Sequence, residues 1–320
     1  WAFTIPGRKP VRARYQLVLD YSRKEVVDGI FTQIAKVLDE TKADYVKMDM
    51  NRHLTDVWSK TEGEQNQGAI LHRYMLGVYD FLERLHERYP ALLIEGCSGG
   101  GGRFDAGMLY YTPQIWCSDN TDAIERVKIQ YGTSFAYPSC TVGSHVSAVP
   151  NHQTGRTTEL ATRAAVAMAG SFGYELDLNL LTEEEKEQVR AQIKNYHRFE
   201  MLIRQGRYYR LTDVWQKKEY AAWEYCRPDG SEALVTVVTL DTQCNPATEY
   251  VKLRGLGEDK KYRVEVVGMQ TGGENGQRIN GTPNSVEPEY YTGAQLVHAG
   301  LPVPRLGNEY KSWQVYVKEV

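Results

Sequence analysis

The feature that most constrains this chain is an alternation. Over roughly the first 200 residues, short apolar runs alternate with longer segments of helical period. Strand–helix alternation of this kind implies parallel strands joined by crossover helices. Strands are predicted at 15–19, 44–49, 91–95, 115–117, near 139–143 and at 173–177. Helices are predicted at 22–40, about 69–88, about 122–135, 157–170 and 182 to about 204. Ser22 with Glu25, and Thr182 with Glu185, have the spacing of capping boxes. In the second helix Ile70, Tyr74, Val78, Phe81, Leu82 and Leu85 share the inward stripe. Polar, glycine-rich loops follow the strands, as in a (β/α)8 barrel that carries its site at the C-terminal face. Eight strands close such a barrel. About six βα units are counted here, so a partial TIM barrel within a longer chain is expected. An open sheet of that kind would expose apolar strand edges and need a partner segment or subunit to cover them.

From about residue 211 the helical period disappears. Alternating runs take over at Ala221–Tyr225, Ala233–Leu240, Tyr250–Leu253, Tyr262–Val267 and Trp313–Val317. Turn signals separate them at Pro228-Asp-Gly, Gly255-Leu-Gly, Gly272-Gly and Gly281-Thr-Pro-Asn. This pattern predicts an antiparallel β-sandwich of five or more strands. The expected domains are therefore a barrel over 1–207 and a sandwich over 208–320.

Composition excludes several classes. A net charge of −3 leaves no basic surface for nucleic acid and no polybasic segment for a membrane, and no run of eighteen apolar residues occurs. The five cysteines are odd in number and lack CxxC spacing, so they read as reduced thiols and a cytoplasmic origin is expected. His145 and His152 match no common zinc spacing, so neither a metal nor another cofactor is expected.

The chemistry is read from three stretches. In Tyr45-Val-Lys-Met-Asp-Met-Asn-Arg52, residues two apart share a strand face, so Lys47, Asp49 and Asn51 converge at the strand's C-terminal end. Asp119 ends another apolar run about two βα units later, and the two carboxylates can face each other across a barrel mouth. A retaining glycosidase needs such a pair, one nucleophile and one acid/base. Two separate structural aspartates are the plainer alternative. Between them lies Cys97-Ser-Gly-Gly-Gly-Gly102, whose glycines allow close backbone approach to a ligand. A loop in which Cys97 and backbone amides meet sugar hydroxyls fits better than a phosphate cradle. It also fits better than a serine-hydrolase elbow at Ser98 using His145 or His152. Trp116 is either core or a stacking wall. Arg14 and Asp20 bracket the first predicted strand.

Taken together these stretches resemble the α-galactosidases of glycoside hydrolase family 36. The resemblance rests on Gly7-Arg-Lys-Pro10 with Arg14–Asp20, Tyr45–Arg52, Glu95–Asp105, Trp116–Ala123, Ile129–Ser134 and Gly143–Ser147. It implies Asp49 as nucleophile and Asp119 as acid/base; the charge of Lys47 nearby should keep Asp49 ionised. It further implies that Arg14, Lys47, Asn51, Cys97 and Gly99 contact galactosyl hydroxyls, with Trp116 also at the substrate. Met48 stands where the family commonly has tryptophan, at an expected wall of the sugar pocket. The implied protein hydrolyses terminal α-galactosyl residues of oligosaccharides such as melibiose and raffinose. It would be a homo-oligomer, tetramers included. An α-N-acetylgalactosaminidase, a galactosyl transferase or an inactive sugar-binding fragment are the alternatives.

Overall fold

The computed structural model describes residues 1–244, 247–269, 288–304 and 309–320. The turn signals expected at Gly272 and Gly281 lie outside these residues. The chain forms two compact units, Trp1–Asp119 and Asn120–Val320.

In the first unit the elements are α1 (Lys24–Thr41), β1 (Tyr45–Asp49), α2 (Ile70–Arg88), β2 (Leu93–Cys97), α3 (Ala106–Tyr111) and β3 (Gln114–Trp116). β1, β2 and β3 pair in parallel. The predicted stripe of α2 is buried throughout, and it packs with Ile94 and Ile115 from the strands. Gly77 of α2 lets the helix meet the chain at Tyr21, because a Cβ there would lie 1.8 Å from the Tyr21 carbonyl oxygen.

Two local expectations fail here for identifiable reasons. Residues 15–19 form no strand: Gln16 and Leu19 make only isolated bridges, to Ala13 and Ala2. Arg14 and Tyr15 have positive φ (51° and 61°) and reverse the chain instead. The buried Arg52 fixes that reversal by donating to the carbonyls of Val11 and Gln16. Ser22 does not cap α1, because its hydroxyl donates to Asp20 and the helix starts after Arg23 without a side-chain cap.

The second unit contains α4 (Ala123–Thr133), β4 (Val142–Ser147), α5 (Leu160–Ala167), β5 (Ser171–Glu175) and α6 (Glu183–Gln205). Asp122 caps α4 by accepting from the amides of Ile124 and Glu125, and the Thr182–Glu185 capping box opens α6. β4 and β5 are parallel. β4 starts later than the sequence suggests, because residues 139–141 form a 3-10 turn. The polar run from Gly143 to Ser147 is itself the strand; Ser144, for one, is buried and donates to Gln130 at 2.9 Å. Among the described residues there are thus five parallel strands, three in the first unit and two in the second, rather than six.

The remainder is antiparallel: β6 (Arg207–Arg210), β7 (Tyr220–Cys226), β8 (Glu232–Thr239), β9 (Tyr250–Val251), β10 (Lys261–Met269), β11 (Glu289–Thr292), β12 (Leu301–Pro302) and β13 (Ser312–Glu319). Six of these form one sheet in the order β11-β10-β13-β8-β7-β6, and β9 pairs with β12 in a second. Alternation sorts the large sheet's two faces. Ala221, Trp223, Tyr225, Leu234 and Tyr316 pack with α4–α6 residues such as Ile124, Phe199 and Leu202. Ala222, Val235, Val237, Trp313 and Val315 pack with Val251, Leu253 and Leu301 of the small-sheet side. Both faces are therefore dry, which explains why β7 and β8 are nearly continuous in apolar residues.

Glu224 of β7 is the polar exception. It is buried, the Arg254 amide donates to one carboxyl oxygen at 2.9 Å, and the other has no partner among the described residues. Burial pushes its pKa up to about 8 against the pull of the Arg254 amide and charge. A folded pKa above the unfolded one gives stability that is complete below the unfolded value and is lost as pH rises toward the folded value. Glu224→Gln should therefore stabilise the fold by on the order of 3 kcal/mol at pH 7 and by little at pH 4. Urea unfolding at the two pH values measures this, and equal effects at both would contradict it.

Candidate active site

The first unit gathers most of the predicted site residues through strand register. Lys47 on β1 lies opposite Glu95 on β2, and Glu95 lies opposite Gln114 on β3. One layer further along, Asp49 lies opposite Cys97. Since side chains two apart share a face, Asp49, Cys97 and Trp116 form the layer at the strands' C-terminal ends, above Lys47, Glu95 and Gln114. Met48 falls on the other face and packs against the α2 core, so it is not a wall beside Asp49.

Asp49 ends β1 with its carboxylate exposed. Partial burial opposes ionisation, but the Asn51 side chain, the Cys97 thiol and the amides of Gly99 and Met50 outweigh it and hold the carboxyl below the ordinary aspartate range. Asn51 Nδ2 donates to Asp49 Oδ2 at 2.7 Å, while Asn51 Oδ1 accepts from the Gly99 amide at 3.0 Å. The sequence gives the role of holding Asp49 ionised to Lys47. In the structure Lys47 pairs instead with Glu95, Nζ to Oε1 3.5 Å, and stands 4.8 Å from the centre of the Trp116 ring. Cys97 is buried; burial pushes its thiol up to about 11, against a hydrogen bond at Gly100 and assisted by the Asp49 charge. It is therefore a protonated donor to Asp49 and not a thiolate nucleophile.

The glycine loop links the two carboxylate segments. The Ser98 hydroxyl donates to the Met50 carbonyl at 2.8 Å, and the Met50 amide donates to the Cys97 carbonyl at 3.2 Å. Gly100 has φ +83°, and a Cβ there would lie 2.9 Å from Ser118 Cα and 3.0 Å from the Asp119 nitrogen. Only a residue without a side chain lets the loop lie against Ser118–Asp119. Asp119, three residues past β3 and exposed, accepts from the Trp116 indole N–H at 3.1 Å. Trp116 is buried, held between Lys47 and Asp119. The serine-hydrolase elbow does not form, because the next helix begins only at Ala106 and the Ser98 hydroxyl is engaged with Met50.

Arg14 is the predicted residue that the contacts do not join to the others. It is exposed in its left-handed turn, with no side-chain hydrogen bond or ion pair among the described residues. Arg103 and Arg52 stand inside the stretches that carry the resemblance, but their roles depend on partners distant in sequence. Arg103 donates to the Tyr74 hydroxyl at 2.7 Å and contacts the Met50 sulfur, anchoring the end of the glycine loop. His145 Nδ1 lies 2.5 Å from a Glu175 carboxylate oxygen, between β4 and β5. Among the described residues no group of His, Cys, Asp and Glu is arranged to hold a metal ion, and no helix is long and apolar enough to cross a membrane.

Comparison with known proteins adds the family. The Melibiase family profile matches residues 1–206, and that of the glycosyl hydrolase family 36 C-terminal domain matches 220–317. The chain is 54% identical over its whole length to the bifunctional alpha-galactosidase/sucrose kinase AgaSK of Mediterraneibacter gnavus, of which it covers 31%. It is 43% identical over its whole length to alpha-galactosidase AgaA of Geobacillus stearothermophilus, of which it covers 41%. The crystal structure of an AgaA variant in complex with raffinose superposes with a TM-score of 0.90 at 42% identity, covering all of this chain and 42% of that one. The chain thus spans about a third to two-fifths of the length of these relatives. Its architecture is that of a partial (β/α) barrel followed by an antiparallel sheet region. With both profiles matched in order along its length, the chain belongs to the melibiase family, glycoside hydrolase family 36.

Proposed function

We propose that the protein carrying this chain is a retaining α-galactosidase that hydrolyses terminal α-galactosyl residues of oligosaccharides such as melibiose and raffinose. The observation that carries the reading is the linked pair of carboxylates: Asp49 with four donors around it, and Asp119 on a segment packed against the same glycine loop. Asp49 attacks the anomeric carbon as the glycosidic C–O bond breaks, and Asp119 gives its proton to the leaving oxygen. Water then loses a proton to Asp119, attacks the same carbon and releases Asp49, so two inversions give net retention. Asp49 has to be ionised before it attacks, which its lowered pKa favours. Lys47, Asn51, Cys97, Gly99 and Arg14 bind the galactosyl hydroxyls and Trp116 backs the pocket. The AgaA complexes with raffinose and stachyose support the substrate class.

The domain reading that goes with this is a catalytic barrel over 1–207 and a β-sandwich over 208–320, a division that the two profile matches support. Cysteines that are odd in number and lack CxxC spacing support a cytoplasmic protein. We further propose a homo-oligomer, which light scattering of the complete protein tests. The function itself is tested by proton NMR of nitrophenyl α-galactoside hydrolysis. α-Galactose should appear first and mutarotate later. Initial β-galactose would overturn the retaining mechanism, and turnover only of the N-acetylgalactosaminide would overturn the substrate.

A further inference from the structure

We propose that Glu95 is a positioning residue that fixes the ammonium group of Lys47 for the galactosyl ring; this rests on the α-galactosidase reading above. Glu95 is fully buried on β2, one layer below Asp49, Cys97 and Trp116. A carboxylate in that position is stable only when donors and a countercharge surround it. The structure supplies these from both neighbouring strands. The Tyr45 hydroxyl donates to Oε2 in a short hydrogen bond, Gln114 Nε2 donates to the same oxygen at 2.9 Å, and Lys47 Nζ stands 3.5 Å from Oε1. Tyr45 and Lys47 belong to the face of β1 that also carries Asp49.

The effect is on Lys47. A lysine head group on a four-carbon stem is a mobile point charge, and holding it still costs rotamer entropy. Here the Glu95 carboxylate and the Trp116 ring confine it before substrate arrives. Preorganisation of this kind lowers the cost of binding. Glu95 thus acts through Lys47 and not on the reacting atoms.

A double-mutant cycle in the complete enzyme tests this. Glu95→Gln keeps the shape and an acceptor for Tyr45 while removing the charge. It should raise KM for nitrophenyl α-galactoside about tenfold, with kcat changed less than about threefold. In a Lys47→Met background, Glu95→Gln should change KM less than about twofold. Equal losses in both backgrounds would show Glu95 to be merely structural and overturn the proposal. Should Glu95→Gln fail to fold, Tyr45→Phe replaces it in the cycle. It removes one donor from Glu95, and its KM effect should likewise vanish when Lys47 is methionine; persistence would overturn the proposal. Full activity of Lys47→Met alone would instead count against the galactosyl-site reading itself, so the two failures are distinguishable.

Discussion

Replacing Asp49 with alanine in the complete enzyme should lower kcat on nitrophenyl α-galactoside by at least about a thousandfold, a barrier increase of about 4 kcal/mol. The loss is large because the nucleophile forms the bond that replaces the leaving group, and the remaining donors cannot do this. Asn51, Cys97 and the Gly99 amide would still surround the vacated position, since Asn51 and Gly99 also bond to one another. A small anion fits that donor set. Azide should therefore restore part of the activity and give β-galactosyl azide, the product of one inversion instead of two. In the wild type, the donors that lower the Asp49 pKa should keep kcat/KM from falling until pH drops below the ordinary aspartate range. Unchanged turnover in Asp49→Ala would remove the nucleophile from the account.

Replacing Asp119 with asparagine should separate substrates by leaving group. General acid catalysis contributes about a hundredfold to ten-thousandfold, and only where the departing oxygen needs a proton. Raffinose turnover should fall about a thousandfold. A nitrophenolate leaves without protonation, so the first step on the aryl substrate should fall far less, and the second step should become limiting. Azide, which needs no general base, should then accelerate turnover and give α-galactosyl azide with retention. The amide oxygen introduced by Asp119→Asn would still accept from the Trp116 indole, which makes the substitution conservative in structure. An equal loss on raffinose and on the aryl substrate would contradict the acid/base role.

Much of this arrangement is legible in the sequence because it depends on short-range periodicity. Alternation in Tyr45–Asp49 puts Lys47 and Asp49 on one face, and the α2 stripe from Ile70 to Leu85 follows from the helical repeat alone. The failures come from competition that a local pattern does not reveal. Tyr15–Leu19 has strand-like composition, yet Arg14 and Tyr15 turn the chain and Arg52, far along the sequence, holds the carbonyls on either side. Ser22 has a capping position by spacing, yet Asp20 takes its hydroxyl. Gly143–Ser147 looks like a polar loop and is a buried strand, because Gln130 satisfies Ser144. Glu95 is the most informative omission. Its partners Lys47 and Gln114 are set by the register of three strands, and the sequence of β2 carries no trace of that register. The same register corrects the role of Lys47, whose nearest carboxylate by sequence is Asp49 and whose ion-pair partner is Glu95.

The central claim is that Asp49 forms a covalent bond to galactose. The most direct measurement treats the complete enzyme with a fluorinated galactosyl fluoride, which forms the glycosyl-enzyme faster than water can release it, followed by peptide mass spectrometry. One added fluorogalactosyl group is expected, located on Asp49 within the peptide containing Tyr45–Arg52, and none in Asp49→Ala. A label on another carboxylate, or inactivation with no covalent adduct, would contradict it.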